Sequence, residues 1–298
     1  MQAENEKKWE VVAIQEELRQ LGYSKWRDKA TGISCIEPPT VVIPAGEFLM
    51  GSDKSKDSLA VSHELPQHLV YVGPYEIAKY PLTVAEYEMY IAATGKTMPD
   101  AEELYAMYIA FLESIDETWD EEYIQALMQK FQWTELRKQP DYPMIFLTWY
   151  DITAYAKWLS EVTGEKWRLP SEAEWEKAAR GTDGRIYPWG DEWDVNKASA
   201  PSSIMPLEFM PVGRHSQGAS PYGVMDLVGS VIEWTNTAYK AYPYNATDGR
   251  ENDQSQRGRV ARGNCWSNNI RSMRIANRNG YSMDHFEFNY GGRLARDV

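Results

Sequence analysis

Residues 167 to 181 read WRLPSEAEWEKAARG, and their punctuation is unusually complete. Ser171 places a hydroxyl at a helix start directly after Pro170, and Glu174 places a carboxylate three residues later. Together the two side chains satisfy backbone N–H groups that the first helical turn leaves without partners. Gly181 supplies the left-handed residue that closes the helix. The stretch therefore predicts a helix opened at Ser171 and closed at Gly181.

The same chemistry recurs upstream. Thr83 with Glu86 opens a helix that ends at Gly95, and Thr148 with Asp151 opens one that ends at Gly164. Between these two, residues 96 to 140 carry Leu104, Met107, Tyr108, Phe111 and Ile115 at helical spacing, then Ile124, Leu127, Met128 and Phe131. This is the pattern of a two-helix insertion with an acidic outer face, suited to surface packing or to docking a partner.

Further upstream, VVIPAGEFLMGS (41 to 52) and HLVYVGPYEIAKYPLT (68 to 83) read as strands broken by turns at Pro44 to Gly46 and at Gly73 and Pro74. Residues 1 to 38 are expected to form an N-terminal helical extension. In it, Trp9, Val11, Ile14, Leu18 and Leu21 approximate one helical face, with Gly22 beyond it. The main domain is expected over 39 to 298. Past residue 182 the density of Gly, Pro, Asn, Asp and Ser predicts short strands and long loops.

Composition narrows the function. A net charge of −13 repels a phosphate backbone, so nucleic acid is not an expected partner. Nor is a membrane, since no apolar run is long enough to span one. The charged start MQAENEKKWE lacks the apolar stretch of a signal peptide, which leads us to expect a cytoplasmic protein. Cys35 and Cys265 lie too far apart in sequence for a CxxC pair. His63 and His68 flank Pro66 and cannot share a regular helical face as metal ligands.

With these markers in place, IPAGEFLMGS, TVAEYEMY, WRLPSEAEWEKAARG, YPWGDEW, SPYGVMDLVGSVIEWTNTAY and RGNCWSNN…GGRLAR follow, in order, a known pattern. The chain resembles the formylglycine-generating-enzyme-like (sulfatase-modifying factor) branch of the C-type lectin fold. The resemblance implies an α+β architecture with much irregular loop structure. In the oxidase of that family a close cysteine pair past the GGS motif serves a copper centre, a role suited to soft thiolate ligands. Here a single Cys265 stands at the serine of that motif, so the pair is absent. We therefore expect no redox cofactor and a chain that is not an enzyme, with Cys265 a small buried residue. The other enzymatic relatives, iron-dependent sulfoxide synthases, rely on a histidine triad that the four histidines here do not supply. A metal-dependent oxidase or oxygenase with an altered active site is the alternative expectation.

RGNCWSNN, the central ANRN and the terminal GGRLAR also resemble the frame of variable proteins from prokaryotic diversity-generating retroelements. Those proteins diversify a C-terminal binding surface by mutagenesis at adenines. Six of the 11 asparagines, whose codons are rich in adenine, fall in the last 35 residues. The resemblance implies a ligand-binding protein whose variable region, within 262 to 298, recognises a protein or other macromolecule. The expected surface comprises Ser267, Asn268, Asn269, Arg271, Tyr281, Ser282, Met283, Asp284, His285, Phe286, Phe288, Asn289 and Tyr290, a mixture of rigid rings and adaptable polar groups like that of antibody loops. The spacing of Phe286, Phe288 and Tyr290 by two equally suits a strand that buries them. Trp266, Arg274, Ala276, Arg278 and Arg293 are expected to be scaffold. Finally, the resemblance implies a structural calcium held by Asp226, Gly229, Val231 and Glu233, oxygen ligands that suit a hard cation.

Overall fold

A computed structural model describes residues 9–114, 120–199, 209–265 and 270–298. The three capped helices form where the sequence places them. We label the helices in chain order: α1 (Glu16–Gln20), α2 (Val84–Thr94), α3 (Ala101–Ser114), α4 (Glu121–Phe131), α5 (Trp133–Leu136), α6 (Trp149–Thr163) and α7 (Glu172–Arg180). Thr83, Thr148 and Ser171 each cap reciprocally with Glu86, Asp151 and Glu174. Gly95 and Gly164 follow α2 and α6 in the left-handed conformation.

The strands are β1 (Trp9–Val11), β2 (Ser24–Asp28), β3 (Ser34–Glu37), β4 (Thr40–Ile43), β5 (Gly46–Met50), β6 (His68–Val72), β7 (Tyr75–Ala78), β8 (Ile232–Ala238), β9 (Arg259–Arg262), β10 (Arg278–Tyr281), β11 (Tyr290–Gly291) and β12 (Ala295–Asp297). The turns fall as expected at Pro44 and Gly73. Past α7 the described residues hold short strands and two single 3-10 turns.

The N-terminal expectation needs correction. Instead of one helix over 9 to 21, Trp9–Val11 form a strand antiparallel to β2, which pairs in turn with β3. Trp9 is buried, while Glu10 and Val11 are exposed. Only the five residues of α1 are helical, and Leu18, with Ile14 and Leu21 beside it, packs with Tyr23, Ile36 and Tyr80.

Two sheets set the frame of the C-terminal region. One has the order β10-β9-β8-β11, with β11 parallel to β8, pairing Tyr290 with Ile232. The other has the order β12-β7-β4, so the C-terminal strand closes against the start of the domain. Gly291 is required at its position because a Cβ there would come within 2.5 Å of the Met144 carbonyl oxygen.

The helical insertion shares the main core. Leu104, Tyr108 and Leu112 of α3, and Ile124, Met128 and Phe131 of α4, are buried in the same cluster as Trp149, Trp234, Phe288 and Tyr290. Each such side chain contributes about 1.5–3 kcal/mol of burial. Met107 and Tyr123 stay exposed, and Ile115 lies outside the described residues.

Candidate functional site

The C-terminal segment is held by buried ion pairs. α7 carries Glu172 and Glu176 one turn apart, and register places Arg262 of β9 opposite Arg278 of β10. Arg278 grips Glu172 bidentately at 2.5 and 2.9 Å, and Arg262 reaches Glu172 at 3.3 Å and also binds Glu176. Arg274 spans Asp57 and Glu64, with distances of 2.7, 2.5 and 2.8 Å. Burial works against the charge of Arg262, but Glu176 and Glu172 outweigh it and hold its pKa above the usual arginine value. Burial likewise opposes ionisation of Glu176, whose pKa nevertheless falls because Arg262 and Arg180 stand beside it. The frame assigned to Arg274, Ala276, Arg278 and Arg293 is thus buried; Trp266 lies outside the described residues.

On this frame sits an aromatic cluster. Tyr281, at the end of β10, stacks on His285 with centroids 4.5 Å apart. His285 meets Tyr290 edge-on at 4.7 Å, and Tyr290 packs on Trp234 at 5.4 Å. Phe286 stacks on Phe146 at 5.3 Å. From the insertion, Phe111 meets His285 at 5.1 Å and Tyr108 meets Phe288 at 5.6 Å, so α3 lies over the cluster. Desolvation raises the pKa of the Tyr281 and Tyr290 phenols. Beneath them Asn289 Nδ2 donates to the Cys265 sulfur at 3.2 Å. Asn289 Oδ1 is buried without a hydrogen-bond partner, while the buried His285 Nε2 faces Glu287 Oε2 at 3.5 Å. Buried orphan polar atoms are costly and mark a position where a further polar group fits.

The expected surface is therefore smaller than the sequence suggested. Arg271, Ser282 and Asp284 are exposed, and Tyr281, His285 and Phe286 are half-buried. Met283, Phe288, Asn289 and Tyr290 are corrections: they are 8%, 9%, 4% and 0% exposed and belong to the interior. Residues 282 to 289 are turns and irregular backbone, so burial of Phe288 is not that of a strand. Backbone bonds pin them, with Trp149 N–H donating to the Met283 carbonyl at 3.2 Å and Leu147 N–H to that of Tyr290 at 3.1 Å. Ser267, Asn268 and Asn269 lie outside the described residues.

The calcium expectation also meets a different arrangement. Glu233 accepts Arg293 Nε and Nη2 on its two oxygens at 2.6 and 2.7 Å, and Trp175 Nε1 at 2.8 Å. Asp226 accepts Gly213 N–H at 2.6 Å, and burial pushes its carboxyl up to about 6. Near Gly229 and Val231 the positive charge beside Glu233 is a guanidinium. The four residues do not fit a calcium site. A copper site of the family type does not fit either, since Cys265 has no second cysteine beside it. Among the described residues no group of three or more His, Cys, Asp or Glu gathers where it could hold a metal ion.

The sequence reading missed the cover supplied by Tyr108 and Phe111 and the acid pair Glu172 and Glu176. The second had a signal: two glutamates four apart face the same side of a helix. The first had none, because the contact joins residues more than 170 positions apart.

Comparisons with known proteins agree with this architecture. The sulfatase-modifying factor enzyme 1-like domain matches residues 32 to 298. The chain is 30% identical over 273 residues to serine/threonine-protein kinase Pkn1 of Chlamydia trachomatis, covering 87% of this chain but only 38% of that protein. It is 28% identical to the formylglycine-generating enzyme of Streptomyces coelicolor, covering 87% and 89%. To hercynine oxygenase of Mycolicibacterium smegmatis it is 28% identical, covering 87% and 61%. Among solved structures, PvdO of Pseudomonas aeruginosa superposes with a TM-score of 0.67 at 27% identity, covering 88% and 95%. Variable protein 1 of Treponema denticola gives 0.60 at 17% identity, covering 92% and 99%, a likeness of fold. The enzyme relatives overturn the expectation, drawn from the missing cysteine pair, that the chain is not an enzyme. Among the described residues no helix is long and apolar enough to cross a membrane. By its fold and by a match running from residue 32 to the C-terminus, the chain belongs to the sulfatase-modifying factor enzyme 1-like family.

Proposed function

We propose that this protein binds a macromolecular ligand, such as another protein, through the rim formed by Arg271, Ser282 and Asp284 with the half-buried Tyr281, His285 and Phe286. We further propose that a retroelement diversifies that rim. One observation carries the reading: Ser282 and Asp284 point outward on either side of the buried Met283, on a turn anchored by the His285 N–H to Ser282 carbonyl bond of 3.0 Å. Aromatic rings in fixed stacks beside small polar groups give contact area with little loss of conformational freedom on binding. Sequencing the same locus in related isolates tests it. The expected result is substitution at adenine-bearing codons for the outward positions, constancy at Tyr290 and Arg278, and a neighbouring reverse transcriptase gene. A locus without variation and without that gene removes the diversification.

A second reading is an oxidase or oxygenase with an altered active site, acting at the same place. The Cys265 thiol against Asn289, whose Oδ1 is buried without a partner, favours it, as do enzyme relatives at 28% identity. Oxygen uptake on a thiol peptide, lost in Cys265→Ser, supports this reading. Preparations free of copper and iron that consume no oxygen remove it.

A further inference from the structure

A different part of the molecule presents an open cavity of about 560 Å³ between residues 189 and 197, lined by two indoles and three carboxylates. Trp189 and Trp193 meet at 59° with centroids 5.7 Å apart, forming a corner. Tyr187 backs it, parallel to Trp189 at 5.5 Å and edge-on to Trp193 at 5.5 Å. The indoles pack against Ala198, Val228 and Met273 in a small core while still lining the cavity. The corner is also locally braced. Trp189 Nε1 donates to the Glu192 carbonyl at 2.9 Å, Tyr187 and Gly190 exchange backbone bonds of 2.8 and 3.1 Å, and Asp191 accepts Ile186 N–H at 3.1 Å.

The electrostatics of this corner select a cation. Asp191 and Glu192 are exposed, and the half-buried Asp194 shares its charge with Lys197 at 3.6 Å. Three carboxylates against one lysine leave the lining negative, within a chain whose net charge is −13. An indole face carries the negative side of the ring quadrupole and attracts ammonium groups more strongly than the other aromatic rings do. Where the protein supplies its own cation to a tryptophan, it does so elsewhere: Arg259 over Trp149, Arg262 over Trp175 and Arg296 over Trp167.

We propose that the Trp189–Trp193 corner binds an alkylammonium group, preferably one fully methylated, with the indoles contacting the methyl groups and Asp191 and Glu192 supplying the field. Methylation favours the site because it spreads the charge over an apolar surface that aromatic faces match. The group can be borne by a free small molecule or by a methylated lysine.

Titration of the full chain with choline, monitored by the indole N–H signals in ¹H–¹⁵N spectra, tests the assignment. Trp189 and Trp193, identified by single Trp→Phe variants, are expected to shift while most other indoles do not. The neutral isostere 3,3-dimethylbutan-1-ol is expected to bind at least about tenfold more weakly, the loss that follows when the cation–π term is removed at a partly desolvated corner. Glu192→Gln, at an exposed position that leaves the fold intact, is expected to weaken choline severalfold. A trimethyllysine peptide that binds more tightly than choline assigns the group to a protein ligand, and equal or weaker binding assigns it to a small molecule. Equal affinity for choline and its neutral isostere, or no shift at either indole, overturns the proposal.

Discussion

Arg293 and Glu233 face each other in a bidentate ion pair, Nε to Oε2 and Nη2 to Oε1, with neither side chain reaching solvent. Arg293 also donates to the carbonyls of Ala78, Lys79 and Met225, at 3.1, 3.2 and 2.9 Å. One side chain thus ties the start of the domain, the loop before β8 and the C-terminal strand together. Breaking a buried pair from one side leaves an uncompensated charge and costs about 3–5 kcal/mol. Arg293→Ala is expected to lose that much in urea denaturation, and Arg293→Met with Glu233→Met to recover much of it. Equal destabilisation by the single and double variants would show that the pair itself is stabilising.

The same pair sets the response to calcium. Because the guanidinium already neutralises Glu233, millimolar calcium has only the Asp226 carboxylate to recruit without expelling Arg293. The thermal midpoint is expected to be the same in calcium as in a chelator. A ligand present at a hundred times its Kd raises stability by about 2.7 kcal/mol, a shift of several degrees that scanning calorimetry resolves easily and that would restore the cation site.

Both thiols are enclosed, Cys35 and Cys265 each being 0% exposed. Burial, with a smaller effect from Glu37, pushes the Cys35 thiol up to about 12, which removes its nucleophilic thiolate at neutral pH. An aromatic disulfide reagent is expected to titrate no thiol in the native protein and two in denaturant. One fast-reacting native thiol would reveal that α3 opens over Cys265.

How much of this was legible beforehand depended on the range of the interaction. Caps are local: Thr83 with Glu86 and Ser171 with Glu174 sit three residues apart, and all three boxes formed where the sequence placed them. The strand turns at Pro44 and Gly73 were legible for the same reason. At Trp9–Val11 the partner strand, β2, lies some 15 residues away, and pairing overrode an approximate helical spacing. The C-terminal segment failed at the longest range. Phe288 and Tyr290 have the composition of a contact surface, but Tyr108, more than 170 positions upstream, and Trp234 bury them. Composition carries no sign of which side of a ring faces solvent.

Glu86 provides a test by pH. Its carboxyl is 2% exposed, and burial pushes it up to about 7, against the opposing hydrogen bonds from Thr83. An unfolded chain releases this proton near 4.5, so between about 4.5 and 7 the native state binds more protons than the unfolded one. Stability therefore falls as pH rises through that window, by about 3 kcal/mol for this group alone. Asp226, raised to about 6, adds in the same direction. Glu86→Gln cannot ionise and keeps an oxygen for Thr83. Its stability relative to the parent is expected to improve steadily from pH 5 to pH 7.5 in parallel denaturation curves. A difference that stays constant across that range would mean that Glu86 is ionised throughout.

The division of the C-terminal segment into rim and interior makes opposite demands on neighbouring positions. Tyr290 is 0% exposed and touches Trp234, Tyr281 and His285. Truncating an aromatic ring in such packing costs about 3–5 kcal/mol. Ser282 and Asp284 are exposed, and substitutions at such positions stay within about 0.5 kcal/mol. Tyr290→Ala is thus expected to lower the denaturation midpoint sharply, whereas Ser282→Ala and Asp284→Ala leave it unchanged. For recognition the ranking reverses. In a pull-down from the host lysate with a partner then identified and purified, Asp284→Ala and Arg271→Ala are expected to weaken binding by tenfold or more, if they lie at the contact centre where hot spots concentrate. Folded variants at Arg271, Ser282 and Asp284 that all bind as the parent does would move the recognition surface elsewhere on the molecule, because no other described residues expected on that surface are fully exposed.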